Sequence, residues 1–192
     1  MMSSLAPMAS TILDAAERIT QTVGYNGLSF RDVAAAVGIK SASVHYHFPT
    51  KGKLGAILAR RYTDRLIGQL DQIDIAGGGA TAAFDAYLAG IQSALEQDGR
   101  MCLGGILAAE ADAVPDEVRA EVRRFIALNV SWLSRVIGAA TGAPPEDATV
   151  QSQARAVFAA LEGAMLIARG TGDAASFSDM AAQFRRAGLI PA

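Results

Sequence analysis

The sequence predicts an all-α protein: a small three-helix head followed by a larger helical body, about nine helices in all. Three observations carry that prediction. The apolar share, 51% of 192 residues, is rich in Ala and Leu and holds no long β-branched alternation. Apolar residues recur at three- and four-residue spacing through most of the chain. Gly and Pro are too sparse for a low-complexity chain, and some, such as Gly24, Gly38 and Pro115, fall where helices would end or begin.

The first helix is expected from Ser10 to Val23, where Ile12, Ala16, Ile19 and Val23 repeat at helical spacing. Thr11 with Asp14 three residues on resembles a capping box, and Gly24 supplies a stop. In GLSFRDVAAAVG, Ser29 precedes Asp32 at capping-box spacing and Gly38 closes a helix of about two turns. IKSASVHYHF opens a third helix near Ser41, and PTKGKL ends it and begins a fourth at Thr50. The fourth helix is expected to reach about Ile75, with Gly77-Gly78-Gly79 as a hinge. Beyond the hinge the pattern predicts helices at roughly 80–97, 103–113, 115–141, 146–169 and 174–187. Pro115 and Pro145 are placed in first turns, each followed by acidic residues that suit a helix N-terminus. Breaks at Asp98-Gly99, Thr141-Gly142 and Gly170-Thr171-Gly172 separate these helices. No internal repeat is present.

Composition narrows the function classes. The single cysteine, Cys102, rules out an internal disulfide and fits a reducing compartment. Beside Met101 and Leu103 it is read as packing rather than as a redox sensor. MMSSLAPMAS has no basic n-region and no long apolar h-region, so no signal peptide is expected. No stretch approaches the roughly 20 apolar residues of a membrane span. A cytoplasmic protein without membrane contact is the expectation. The formal net charge of -2 conceals an asymmetry. Residues 1–65 carry eight Lys/Arg against four Asp/Glu, and residues 66–192 carry nine against fifteen. A basic head on an acidic body suggests a polyanionic partner for the head alone. The expected division is a head at 1–50 and a body at 51–192.

Ala34, Gly38 and Val44 stand where two helices crossing at a tight turn require them. A small residue lies at the contact, a glycine takes positive φ in the turn, and an aliphatic plug sits on the second helix. This is a helix-turn-helix pattern. At about 100° per residue, Val44 and Phe48 share an inward face while Ala42 and Tyr46 point roughly opposite. His45 lies to one side. No acidic residue occurs between Lys40 and Arg61. Such a helix can enter a DNA major groove. His45 and His47, the only histidines, diverge by about 200° on a helix and cannot chelate one ion. No nucleophile or orienting carboxylate accompanies them, so neither metal, cofactor nor catalysis is expected.

GLSFRDVAAAVGIKSASVHYHFPTKGKL resembles the N-terminal DNA-binding domain of the TetR family of bacterial transcriptional repressors. The likeness covers about residues 10–58, and CLGGILAAEA with VPDEVRAEVRRF is also typical of many members. The resemblance implies that Ser29 and Arg31 approach the DNA backbone or a base. It places Ser41, Ala42, His45 and Tyr46 on the base-facing side of the recognition helix. It places Ser43, His47 and Lys51 against phosphates. Many members carry Tyr where this chain has His45. A packing role for His47 beside Phe48 remains the alternative. The resemblance further implies a homodimer on a palindromic double-stranded DNA operator, released when a small effector binds the body.

The body offers residues for both tasks. In the helix from Glu146 to Arg169, Val157, Phe158, Leu161, Ala164, Met165 and Ala168 are more apolar surface than one packing face needs. A partner subunit explains the excess, and Phe177, Met180 and Phe184 would complete the contact. Glu162 lies inside this arc. It is assigned to the dimer contact, where it would meet an arginine of the partner, with a pocket face and a solvated rim as alternatives. For an apolar or amphipathic effector, three stripes carry isolated polar groups among apolar ones. They are Phe84, Tyr87, Leu88 and Ile91; Leu103, Ile106, Leu107 and Glu110; and Phe125, Asn129, Trp132 and Val136. The rival functions are a small helical enzyme without DNA binding and a DNA-binding regulator without an effector. No nucleophile–base spacing, phosphate loop or metal cluster favours the enzyme.

Overall fold

The computed structural model describes residues 7–97 and 100–191. Among them the chain forms nine α-helices and no strand: α1 (Pro7–Gly27), α2 (Phe30–Val37), α3 (Ser41–His47), α4 (Lys51–Leu70), α5 (Ile75–Glu96), α6 (Leu103–Ala109), α7 (Asp116–Thr141), α8 (Ala148–Thr171) and α9 (Ser176–Arg186). No helix of the described residues is long and apolar enough to cross a membrane.

Local chemistry sets most boundaries and shifts several of them from the sequence reading, α6 for example ending at Ala109 rather than near 113. Pro7 opens α1, so Thr11 is inside the helix, where its hydroxyl donates to the Pro7 carbonyl at 3.1 Å instead of capping an end. Asp14 is drawn into an ion pair with Arg61. α4 ends at Leu70 rather than near Ile75. The Asp74 carboxylate accepts the Gly77 N–H at 2.8 Å and so starts α5 before the glycines, which occupy its first turn. Gly79, at φ 80, kinks that helix. Pro145 lies ahead of α8, because Asp147 caps it by accepting from the Thr149 and Val150 N–H groups. The break expected at Asp98-Gly99 lies outside the described residues.

The chain divides into two compact units. One comprises the residues up to Thr63 with Leu103–Phe125, and the other comprises Asp64–Cys102 with Ile126–Ala192. Of the three boundaries, one falls within α4, one within α7 and one at the start of α6. In the first unit α1 packs on α2 and α6, and α2 on α3. Ile12, Leu13, Val33, Val44, Phe48, Leu54, Leu58, Leu103 and Val118 form its buried core. Each such side chain contributes about 1.5–3 kcal/mol relative to full exposure. In the second unit α8 packs on α9, and both pack on α5. Phe84, Trp132, Leu133, Ile137, Val157, Leu161 and Phe177 are buried there.

Candidate nucleic-acid interface

The head is built around one turn. Ser29 caps α2 by accepting the Asp32 N–H at 3.1 Å, and its hydroxyl donates to the Asp32 carboxylate. Gly38 takes φ 78, ψ 32, and the N–H groups of Gly38 and Ile39 both return to the Ala34 carbonyl, at 2.9 and 3.0 Å. This closes α2 in the left-handed cap that only glycine adopts cheaply. Ala34, Val44 and Phe48 are buried where the helices cross.

That burial orients the rest of α3. Ser41, Ala42, His45 and Tyr46 are exposed, Tyr46 at 84% of its surface. Arg31 on α2 is exposed as well, while Ser29, Ser43, His47 and Lys51 are half-buried. The His45 ring stands edge-on to Phe30, with centroids 4.4 Å apart. His47 lies between Tyr46 and Phe48, at 5.2 and 6.4 Å. The two histidines therefore face different neighbours. Thr50 caps α4 by accepting the Lys53 N–H at 3.0 Å. Lys51 donates to the Asn26 carbonyl at 3.2 Å and lies 4.6 Å over the Tyr25 ring. Burial lowers its pKa, and the nearby Glu110 charge opposes that shift. Burial, helped by the Glu117 charge, pushes the Tyr25 phenol up to about 12.

Glu110 requires a correction. Expected in an effector pocket, it instead accepts the main-chain N–H groups of Tyr25 and Asn26, at 3.1 and 2.9 Å. Two amides released where α1 kinks are a stronger pull on a carboxylate than an apolar stripe. The other expected pocket residues divide between the two units. Leu103, Leu107 and Phe125 meet in the first, around a crevice shared with Ala59 and Tyr62 that has no room for a water molecule. In the second, Tyr87 and Trp132 rings lie 5.2 Å apart, and the Tyr87 hydroxyl donates to Asn129 at 3.4 Å. Trp132 also donates to the Leu70 carbonyl at 3.1 Å. Phe84 is buried in the same unit and Ile91 is half-buried. Leu88 lines an open groove of about 360 Å³ with Phe177, Ala181 and Arg185, residues of α9 absent from the pocket expectation.

The expected dimer residues also need revision. Val157, Leu161, Met165 and Phe177 are buried by the chain's own packing, so their side chains are not on offer to a partner. Glu162 is turned toward Tyr87 and Cys102 of its own unit; burial raises its pKa and a bond with Cys102 opposes the rise. Phe158, Met180 and Phe184 are half-buried. The sequence reading missed Leu166 and Ile167, which are 62% and 55% exposed. Their apolar side chains fall on the far face of α8 from Leu161, a signal that helical phase could have given.

A tight turn, a capped first helix and an acid-free exposed face on the second define a helix-turn-helix DNA-binding protein. Residues 12–55 match the model of bacterial regulatory proteins of the tetR family. The chain is similar over nearly its whole length to solved structures. A TetR-family transcriptional regulator from Agrobacterium tumefaciens shares 30% identity at TM-score 0.84, with 96% of this chain and 97% of that one covered. A TetR transcriptional regulator from Legionella pneumophila shares 29% at TM-score 0.87, covering 96% and 99%. No curated protein matches the sequence significantly. The chain belongs to the TetR family of DNA-binding transcriptional regulators.

Proposed function

We propose that this regulator is a homodimeric, cytoplasmic repressor. Residues 1–50 bind a palindromic operator, and residues 51–192 carry the dimer contact and a site for a small apolar or amphipathic effector. The α3 face carries the reading. Ser41, Ala42, His45 and Tyr46 are exposed together on a helix whose opposite side is buried, in a segment with no acidic residue from 41 to 60. Polar groups there suit base edges and Ala42 suits a thymine methyl. Ser29, Arg31, Ser43, His47 and Lys51 flank that face and serve the phosphates, with Lys51 aided by the N-terminus of α4.

For the dimer, α8 presents Ala156, Ala159, Gly163, Leu166, Ile167 and Gly170 along one uncharged stripe, and Leu166 and Ile167 stand well out of the chain. Half-buried Phe158, Met180 and Phe184 adjoin the same helices. An apolar stripe of this kind is typical of a subunit contact. For the effector, the Tyr87–Asn129–Trp132 group mixes aromatic faces with isolated polar atoms, as small-molecule sites do. Release follows if the effector prefers a dimer shape that DNA does not. Selection from a random duplex pool should enrich a palindrome with half-sites about one helical turn, or a multiple, apart. An enriched site without two-fold symmetry, or none at all, rules the reading out.

A further inference from the structure

We infer that Glu110 is a positioning residue for DNA binding: its carboxylate holds the Tyr25–Asn26 turn, and through Asn26 it sets where the Lys51 ammonium stands. The inference rests on reading Lys51 as a phosphate contact.

Gly24 leaves helical geometry at φ 79, ψ 172. The N–H groups that follow lose their partners in the preceding turn and need an acceptor. Glu110 supplies one oxygen to each: Oε1 accepts from Tyr25 at 3.1 Å and Oε2 from Asn26 at 2.9 Å. The approach is so close that a Cβ at position 24 would overlap Glu110 Oε1. Glycine is therefore needed there twice, for the positive φ and for the carboxylate.

Asn26 is held on both of its main-chain groups. Its N–H is fixed by Glu110, and its carbonyl accepts from Lys51 Nζ at 3.2 Å. The ring of Tyr25, a residue whose main-chain N–H also donates to Glu110, lies beneath the same ammonium. One carboxylate thus orders both of the groups that Lys51 rests on. An ammonium has three donors. Asn26 takes one, and two remain for a phosphate beside the first turn of α4. Glu110 also opposes the burial that lowers the Lys51 pKa.

A carboxylate that only stabilised the fold would lower the melting temperature without coupling to Lys51. The test is a double-mutant cycle of Glu110→Gln, Lys51→Ala and both together. Operator and random duplex are titrated at several salt concentrations, and thermal melts are recorded in parallel. Lys51→Ala should weaken both DNAs alike and lower the salt slope by about one per head. Glu110→Gln should do the same, by about ten-fold, because it loses one charge-assisted bond. The double variant should bind within about two-fold of Lys51→Ala alone.

If Lys51→Ala binds like the parent, the phosphate reading falls and takes the inference with it. If Lys51→Ala weakens binding but Glu110→Gln does not, or the two losses multiply, the inference alone falls. Should Glu110→Gln fail to fold, hydrogen exchange in the parent protein decides. The Tyr25 and Asn26 amides should be protected, and random DNA should protect them further, since coupling between two events is reciprocal. Exchange as fast as exposed amides, or no change on adding DNA, overturns it.

Discussion

His45 and Lys51 stand six residues apart and should fail in different ways when replaced by Ala. His45 projects from the exposed side of α3; on the proposed reading its loss should remove a base contact worth about 1–3 kcal/mol on the preferred sequence and little elsewhere. His45→Ala should compress the ratio of operator to random-DNA affinity, while Lys51→Ala preserves it. Competition titrations with scrambled duplex read that ratio directly, and an unchanged ratio for His45→Ala would remove that residue from base reading. Tyr25 gives a different test. Its hydroxyl is buried without a hydrogen-bond partner, so Tyr25→Phe should be neutral or stabilise by up to about 1 kcal/mol near pH 7. The phenol's folded pKa of about 12 exceeds its ordinary value of 10.0. Between those values the unfolded chain has lost the proton that the folded chain keeps, so stability falls as pH rises. The slope approaches about 1.4 kcal/mol per pH unit, and Tyr25→Phe should flatten it. Melts at pH 8 and pH 11 check both signs. Tyr87, raised by burial, leaves a residual slope in the variant.

Single helices show how far local signals reach. The Ser29–Asp32 spacing and Gly38 gave α2 both of its ends, because a side-chain cap and a left-handed turn depend only on neighbours in sequence. Ser29→Ala should cost about 1 kcal/mol. Gly38→Ala should cost about 1–2 kcal/mol from the backbone alone, since a Cβ there meets nothing within 4 Å. Gly38→Asn should recover part of that loss in chemical denaturation, and equal loss from both would point to a steric cause instead. The start of α5 shows both signals at once: Asp74 caps a first turn ahead of the glycines, and Gly79 leaves helical geometry, so the expected hinge survives as a kink. In α8 the apolar excess was legible, but its division was not. Leu161 points into its own unit and Ile167 away from it.

That division separates two outcomes for the whole molecule. Leu161→Ala should cost about 2–5 kcal/mol of folding stability and leave association intact. Ile167→Glu should leave the melt nearly unchanged, yet yield monomers at micromolar protein and weaken operator binding. Sedimentation at several concentrations distinguishes them, and an Ile167→Glu dimer would place the contact elsewhere. The sequence by itself determined the all-α class, the helix-turn-helix and its outward face. Those features follow from helical period, caps and one glycine, all short-range in the chain. Only the tertiary structure decided where Glu110 and Glu162 go. Glu110 meets amides 84 and 85 residues away, and Glu162 turns to Tyr87 and Cys102 rather than to the surface. A carboxylate's partner is chosen by which unsatisfied donors packing brings near it, and no pattern of spacing within one helix contains that information.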